Sequence, residues 1–187
     1  MKSSRHTFFG RLLRGAAIVL ALSGALSAQD WWARFGVQGS LSAIGSCEVP
    51  NAPAPEDGSA RGLGIFWEAP FTDNLYHVVG LQFNFAGHEG NYMAVTTMGV
   101  IYDLQYYQMG WQRGLYGLAG LSYLYCQRHG NWFSGYDNYG YYEYSGSKIG
   151  LDLGVGFYFT DHLGAEAKLV LATDSWSYIQ LSAKWRF

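Results

Sequence analysis

The sequence predicts an all-β chain that closes as an eight-stranded, antiparallel, transmembrane up-and-down β-barrel. Three observations carry that prediction. The chain ends in strict two-residue alternation, with Ile179, Leu181, Ala183, Trp185 and Phe187 on one face and Tyr178, Gln180, Ser182, Lys184 and Arg186 on the other, which is the period of a strand with two unlike surroundings. Eight segments share a related pattern, an even number. Beyond residue 28 no stretch is long and apolar enough for a spanning helix, so any membrane crossing must be made by strands.

Residues 1–28 have the form of a cleaved secretory signal peptide. Lys2, Arg5, Arg11 and Arg14 make a basic leader, residues 15–28 are small and apolar, and Ala25-Leu26-Ser27-Ala28 offers a cleavage site. Residues 29–187 then form one barrel domain. The leader removes four of the twelve basic residues, leaving 8 Lys+Arg against 14 Asp+Glu, a net charge of −6. That balance argues against a nucleic-acid partner. Aromatic residues at 18% and 25 glycines with few charges fit aromatic belts around a tightly packed interior.

The first predicted strand, residues 31–44, sets Ala33, Phe35, Val37, Leu41 and Ala43 against Arg34, Gln38, Ser40 and Ser42. The second, 61–69, sets Leu63, Ile65 and Trp67 against Gly62, Gly64 and Glu68. The third, 75–87, sets Val79, Leu81, Phe83 and Phe85 against Gly80, Gln82 and Asn84. The fourth, 92–107, sets Met98, Val100, Tyr102, Leu104 and Tyr106 against Thr97, Asp103 and Gln105. The fifth, 114–127, has two faces that the pattern does not separate. The sixth, 147–159, sets Ile149, Leu151, Leu153, Val155, Phe157 and Phe159 against Lys148, Asp152, Gly154 and Gly156. The seventh, 164–172, sets Ala167, Leu169 and Leu171 against Glu166 and Lys168. The eighth is the terminus. Pro50, Pro53, Pro55 and Pro70 all fall outside these segments, where no ladder donor is needed.

Connections alternate in length. Residues 45–60 and 128–146 are predicted as long irregular loops, whereas Phe71-Thr72-Asp73-Asn74-Leu75 and Phe159-Thr160-Asp161-His162-Leu163 are tight turns that echo one another. Short turns on one side and long loops on the other are the outer-membrane barrel pattern, which places both termini in the periplasm. A soluble β-sandwich or lipocalin-like barrel is the rival. Charged groups on six polar faces and the exposed-looking terminal Phe187 argue against it.

A barrel of eight strands is narrow enough for side chains to fill. Lumen candidates are Arg34, Lys148, Lys168, Lys184 and Arg186 against Glu68, Asp103, Asp152 and Glu166. Charges so nearly balanced in a confined space tend to pair. A turn around residues 174–177 puts Glu166 opposite Arg186, and Arg34, Glu68, Glu166 and Arg186 form one cluster. The network either plugs the lumen, the reading favoured here, or lines a narrow path for small solutes.

The loops carry Glu48, Glu56, Asp57, Glu89, Asp137, Glu143 and Asp174. Trp132, Phe133, Tyr136, Tyr139, Tyr141, Tyr142 and Tyr144 crowd the longest one. These aromatics suit an interfacial belt, or a surface that meets a protein or glycan. Cys47 and Cys126 are a candidate disulfide pair at the outer rim. For catalysis the mature chain offers His77, His88, His129 and His162, with Ser122 and Ser134 the serines nearest in reach, but no Gly-x-Ser-x-Gly, carboxylate pair, phosphate loop or metal-ligand cluster. The expectation is therefore no enzyme, no cofactor and no metal, with a lipid A-modifying enzyme the least favoured alternative.

With its signal peptide, even strand count and terminal Trp185-Arg186-Phe187, the chain resembles the small eight-stranded outer-membrane barrels of the OmpA-transmembrane, OmpX and OmpW class. The resemblance covers the mature chain without resolving a subfamily. It implies outer-membrane lipid and lipopolysaccharide as surroundings, and Trp185 and Phe187 as an assembly signal for the barrel-assembly machinery. The polar lumen departs from the more apolar channel of the OmpW type, which puts hydrophobic transport in doubt.

Overall fold

The computed structural model describes residues 34–44, 58–88, 93–109, 113–133, 139–172 and 177–187. They form one closed barrel in sequence order, every neighbouring pair antiparallel. The strands are β1 (Arg34–Ile44), β2 (Gly58–Pro70), β3 (Leu75–His88), β4 (Met93–Tyr107), β5 (Gly114–Phe133), β6 (Tyr139–Tyr158), β7 (Leu163–Ala172) and β8 (Tyr178–Arg186). Closure comes from β1 and β8, which run in register from Gly36↔Arg186 to Ile44↔Tyr178. The Phe187 amide extends that ladder by donating to the Phe35 carbonyl at 2.8 Å.

Two-residue alternation decides which side chains face in. Along β8 every second residue is buried, from Tyr178 to Arg186, and those between are exposed. The outer wall is apolar: Phe35, Leu63, Ile65, Ile149, Val155, Leu181 and Phe187 all stand exposed on it. A soluble fold would hide such a surface, whereas acyl chains cover it at no cost in hydration.

The fifth strand, whose faces the pattern could not separate, buries Tyr116, Leu118, Ser122, Leu124 and Cys126 and exposes Leu115, Leu121 and Tyr123. Its inner face is as apolar as its outer one, so composition alone carried no contrast.

One connection differs from the expectation. Residues 128–133 and 139–146 are strand and not irregular loop: β5 and β6 are 20 residues each and pair without interruption from Gly114↔Tyr158 to Phe133↔Tyr139. The neighbours stop earlier. Pairing of β4 with β5 begins at Ala94↔His129, and pairing of β7 with β6 ends at Gly150↔Ala172. The two strands therefore run on past the wall as a hairpin. Outside a bilayer neither face is selected for lipid, so alternation fades, while tyrosine-rich sequence still favours extended backbone. At the first connection, Gly58, Ser59 and Ala60 likewise belong to β2.

The opposite end is closed by tight turns. Phe71 and Thr72 amides donate to the Leu75 carbonyl at 2.7 and 3.0 Å, and Phe159 and Thr160 amides donate to the Leu163 carbonyl at 2.9 and 3.3 Å. In each, the leucine amide donates back to the threonine hydroxyl, at 3.2 Å in the first and 2.9 Å in the second. The sequence echo is thus one turn used twice. At the third connection on this end Gly114 sits at φ 83, a left-handed conformation that favours glycine.

Candidate functional site

The chemistry of the molecule lies in its lumen, which is filled in layers. At the end where β1 begins and β8 finishes, Tyr76, Tyr107, Tyr116 and Tyr158 form a buried aromatic floor with Leu118. Their spacing follows from the ladder: Tyr116 faces Gly156 and Tyr158 faces Gly164 across neighbouring strands, so each ring lies over a residue without a side chain.

Above this floor stand two ion pairs. Arg186 of β8 lies 3.2 Å from Glu68 of β2, and both are fully buried. The Tyr107 hydroxyl donates to the same Glu68 oxygen at 2.8 Å, and the Arg186 guanidinium stacks 3.5 Å from the centre of the Tyr158 ring. Lys184 lies 2.9 Å from Glu166, which also accepts the Tyr116 hydroxyl at 2.8 Å. The Lys184 ammonium sits 4.6 Å from the centre of the Phe66 ring. Charge-assisted bonds of this kind recover part of the cost of taking each ion out of water.

The next layer is a three-residue cluster. Lys168 of β7 lies 3.4 Å from Asp103 of β4 and 3.2 Å from Asp152 of β6. The Ser122 hydroxyl donates to Asp152 at 2.8 Å. Neutral amides fill the adjacent space. Gln38 donates to Gln82 at 3.3 Å, Gln82 donates to Asn84 at 3.0 Å and to Gln180, and Gln180 donates to Ser182 at 2.7 Å. Toward the hairpin end Leu124, Val170 and Tyr178 pack together.

Of the expected charge network, Glu68, Asp103, Asp152, Glu166, Lys168, Lys184 and Arg186 come together inside the wall. Two details differ. Glu166 faces Ser182 rather than Arg186 in the ladder, because β7 and β8 pair from Leu163↔Trp185 to Val170↔Tyr178. Glu166 therefore takes Lys184, and Glu68 takes Arg186. Arg34 is half-buried at the rim, where it donates to the Asp161 carbonyl at 3.1 Å instead of joining the cluster. Lys148 is half-buried on the inward phase of β6 toward the hairpin.

Trp185 and Phe187 stand on the outer wall, with the His162 ring stacked 5.6 Å from Trp185. Cys126 is buried inside the barrel, and Cys47 lies outside the described residues. Trp132, Phe133, Tyr139, Tyr141, Tyr142 and Tyr144 belong to the hairpin backbone, whereas Tyr136 lies outside the described residues. His77 is at the terminal end, its Nδ1 2.7 Å from the Tyr102 hydroxyl, and no serine shares that contact. Among the described residues no group of three His, Cys, Asp or Glu side chains could hold a metal ion.

The four tyrosines and Phe66 were not picked out from sequence. Their phase was the available signal: Tyr107 continues the alternation of Asp103 and Gln105, and Tyr158 that of Asp152, Gly154 and Gly156.

No protein-family model and no curated protein sequence matches the chain. Solved structures do. Ail, the attachment invasion locus protein of Yersinia pestis, is 13% identical over 83% of this chain and 97% of its own, with a TM-score of 0.54. Neisserial surface protein A is 12% identical over 81% of this chain and 95% of its own, also with a TM-score of 0.54. Ail has also been solved with a heparin analogue, sucrose octasulfate, in a structure that matches with a TM-score of 0.53. The chain has the closed eight-stranded barrel fold of these proteins.

Proposed function

We propose that this chain is a non-catalytic outer-membrane barrel whose lumen is plugged by its own side chains and whose β5–β6 hairpin serves surface interaction. The observation that carries the reading is the filled lumen. Ion pairs, an amide layer and a tyrosine floor occupy the interior in succession, and an exposed apolar wall surrounds them. In this reading residues 1–28 are a cleaved leader, both termini are periplasmic, and the tight turns face the periplasm. Outer-membrane lipid and lipopolysaccharide cover the wall, and Trp185 and Phe187 present the assembly signal. Deleting Phe187 should lower the heat-modifiable barrel recovered in membranes without lowering synthesis. Equal recovery would remove Phe187 from that role.

The hairpin extends beyond both neighbours, so among the described residues it is the part best placed to meet a partner. The acidic loops suit a protein or an uncharged or basic glycan better than a polyanion of the heparin type found with Ail. An epitope tag in the β5–β6 connection should be stained on intact cells. Staining only after permeabilisation would reverse the topology.

Conductance separates the plug from the narrow solute pore. The refolded wild-type barrel should show no discrete channel steps in a planar bilayer. Glu68→Ala combined with Glu166→Ala, which removes the partners of Arg186 and Lys184, should introduce steps or lower stability. Wild-type steps of defined size would favour the pore.

A further inference from the structure

Among the described residues the fully buried charges of the lumen do not balance, Lys148 being half-buried toward the hairpin. Among the described residues Glu68, Asp103, Asp152 and Glu166 are buried inside the wall against Lys168, Lys184 and Arg186. Two acids are matched singly, Glu68 by Arg186 at 3.2 Å and Glu166 by Lys184 at 2.9 Å. Asp103 and Asp152 share one ammonium, that of Lys168.

Gly120 brings these two acids together. It faces Asp103 across β4–β5 and Asp152 across β5–β6, and Asp103 Oδ1 occupies the space that a side chain at Gly120 would take. Asp152 Oδ1 accepts the Ser122 hydroxyl at 2.8 Å. Asp103 Oδ1 is buried without a hydrogen-bond partner, although Asp103 is only 1% exposed. A carboxylate oxygen in that position is costly unless something positive meets it.

We propose that the Asp103–Asp152 pair is a monovalent-cation site, at which Asp103 Oδ1 takes up one positive charge as a proton or a desolvated alkali-metal ion. Uptake leaves each buried charge with one partner. If the ligand is a proton, it comes from solvent and forms the carboxylic O–H, and no electron is transferred. The titratable groups facing Asp103 are Asp152 of β6, Lys168 and Glu166 of β7, and Lys184 and Tyr178 of β8. From β3 and β5 it meets uncharged positions, Val78 and Gly120.

The two sources have opposite signatures. A site filled by a proton makes the folded chain bind one proton more than the unfolded chain, so stability falls as pH rises through its release. A site filled by sodium or potassium makes stability rise with that ion at constant ionic strength.

The test is thermal unfolding of the refolded full-length barrel in detergent micelles. One arm varies pH at fixed salt, and the other replaces choline chloride with sodium or potassium chloride at fixed pH. The wild type should shift its midpoint in one arm, and Asp103→Asn should lose that shift. A wild type unresponsive in both arms, or Asp103→Asn tracking the wild type, overturns the proposal. Should Asp103→Asn fail to fold, Asp152→Asn relieves the same excess and should also lose the shift. If neither folds, the infrared spectrum of the folded wild type decides. A buried carboxylic-acid carbonyl band, or a carboxylate band that moves on exchanging choline for an alkali ion, supports the site, and the absence of both overturns it.

Discussion

Arg186→Met is expected to destabilise the barrel by about 3–5 kcal/mol, because it strands Glu68 as an uncompensated charge in the closed lumen. The guanidinium is fully buried, lies 3.2 Å from Glu68, and stacks 3.5 Å from the centre of the Tyr158 ring. Methionine keeps some of the packing and removes the charge. The double variant Arg186→Met, Glu68→Leu should recover most of the loss, since replacing a whole buried pair by apolar groups is often close to neutral. Urea unfolding in micelles, read by heat-modifiability on gels, measures both. A single variant within about 1 kcal/mol of wild type would show that Glu68 is relieved in the variant, by water or by taking up a proton.

Gly156→Ala is expected to cost about 1–3 kcal/mol through overpacking. A methyl group there runs into the Tyr116 ring. That ring has little room to retreat, since it packs 5.0 Å from Tyr107 and 5.7 Å from Tyr158, centre to centre, and its hydroxyl is bonded to Glu166. Gly117→Ala is the matched control: it lies on the outer wall of β5 with nothing within 4 Å of the added carbon. It should leave the unfolding midpoint unchanged or slightly raised, because alanine narrows the unfolded ensemble. Equal effects of the two substitutions would show that glycine content rather than Tyr116 packing sets the cost.

Much of the barrel could be read from alternation, because a bilayer imposes one chemistry on every second residue. β8 is the clearest case, with Lys184 and Arg186 inward and Trp185 and Phe187 outward in both the pattern and the structure. The pattern failed where that contrast was missing. β5 carries leucine and tyrosine on both faces. Residues 130–133 and 139–146 extend β5 and β6 past the neighbouring strands, where no lipid selects one face. The tyrosine floor was missed because a tyrosine near a strand end suits an interfacial belt as well as a lumen by residue type, and only its phase separates the two.

Strand number, the inward phase of seven strands and the residue types of the charged interior were legible in the sequence, because they follow from a period of two along single segments, and the antiparallel order was legible in the short turns between them. Which charges meet was settled by the closed barrel. Pairing across the lumen depends on the stagger between strands: the β7–β8 register places Ser182, not Arg186, opposite Glu166, and that shift of four residues leaves Glu166 to Lys184. It also decided that Arg34 stays at the rim and that Asp103 and Asp152 share one lysine. Those outcomes depend on where glycines on neighbouring strands leave room, a property of the closed wall and not of any strand alone.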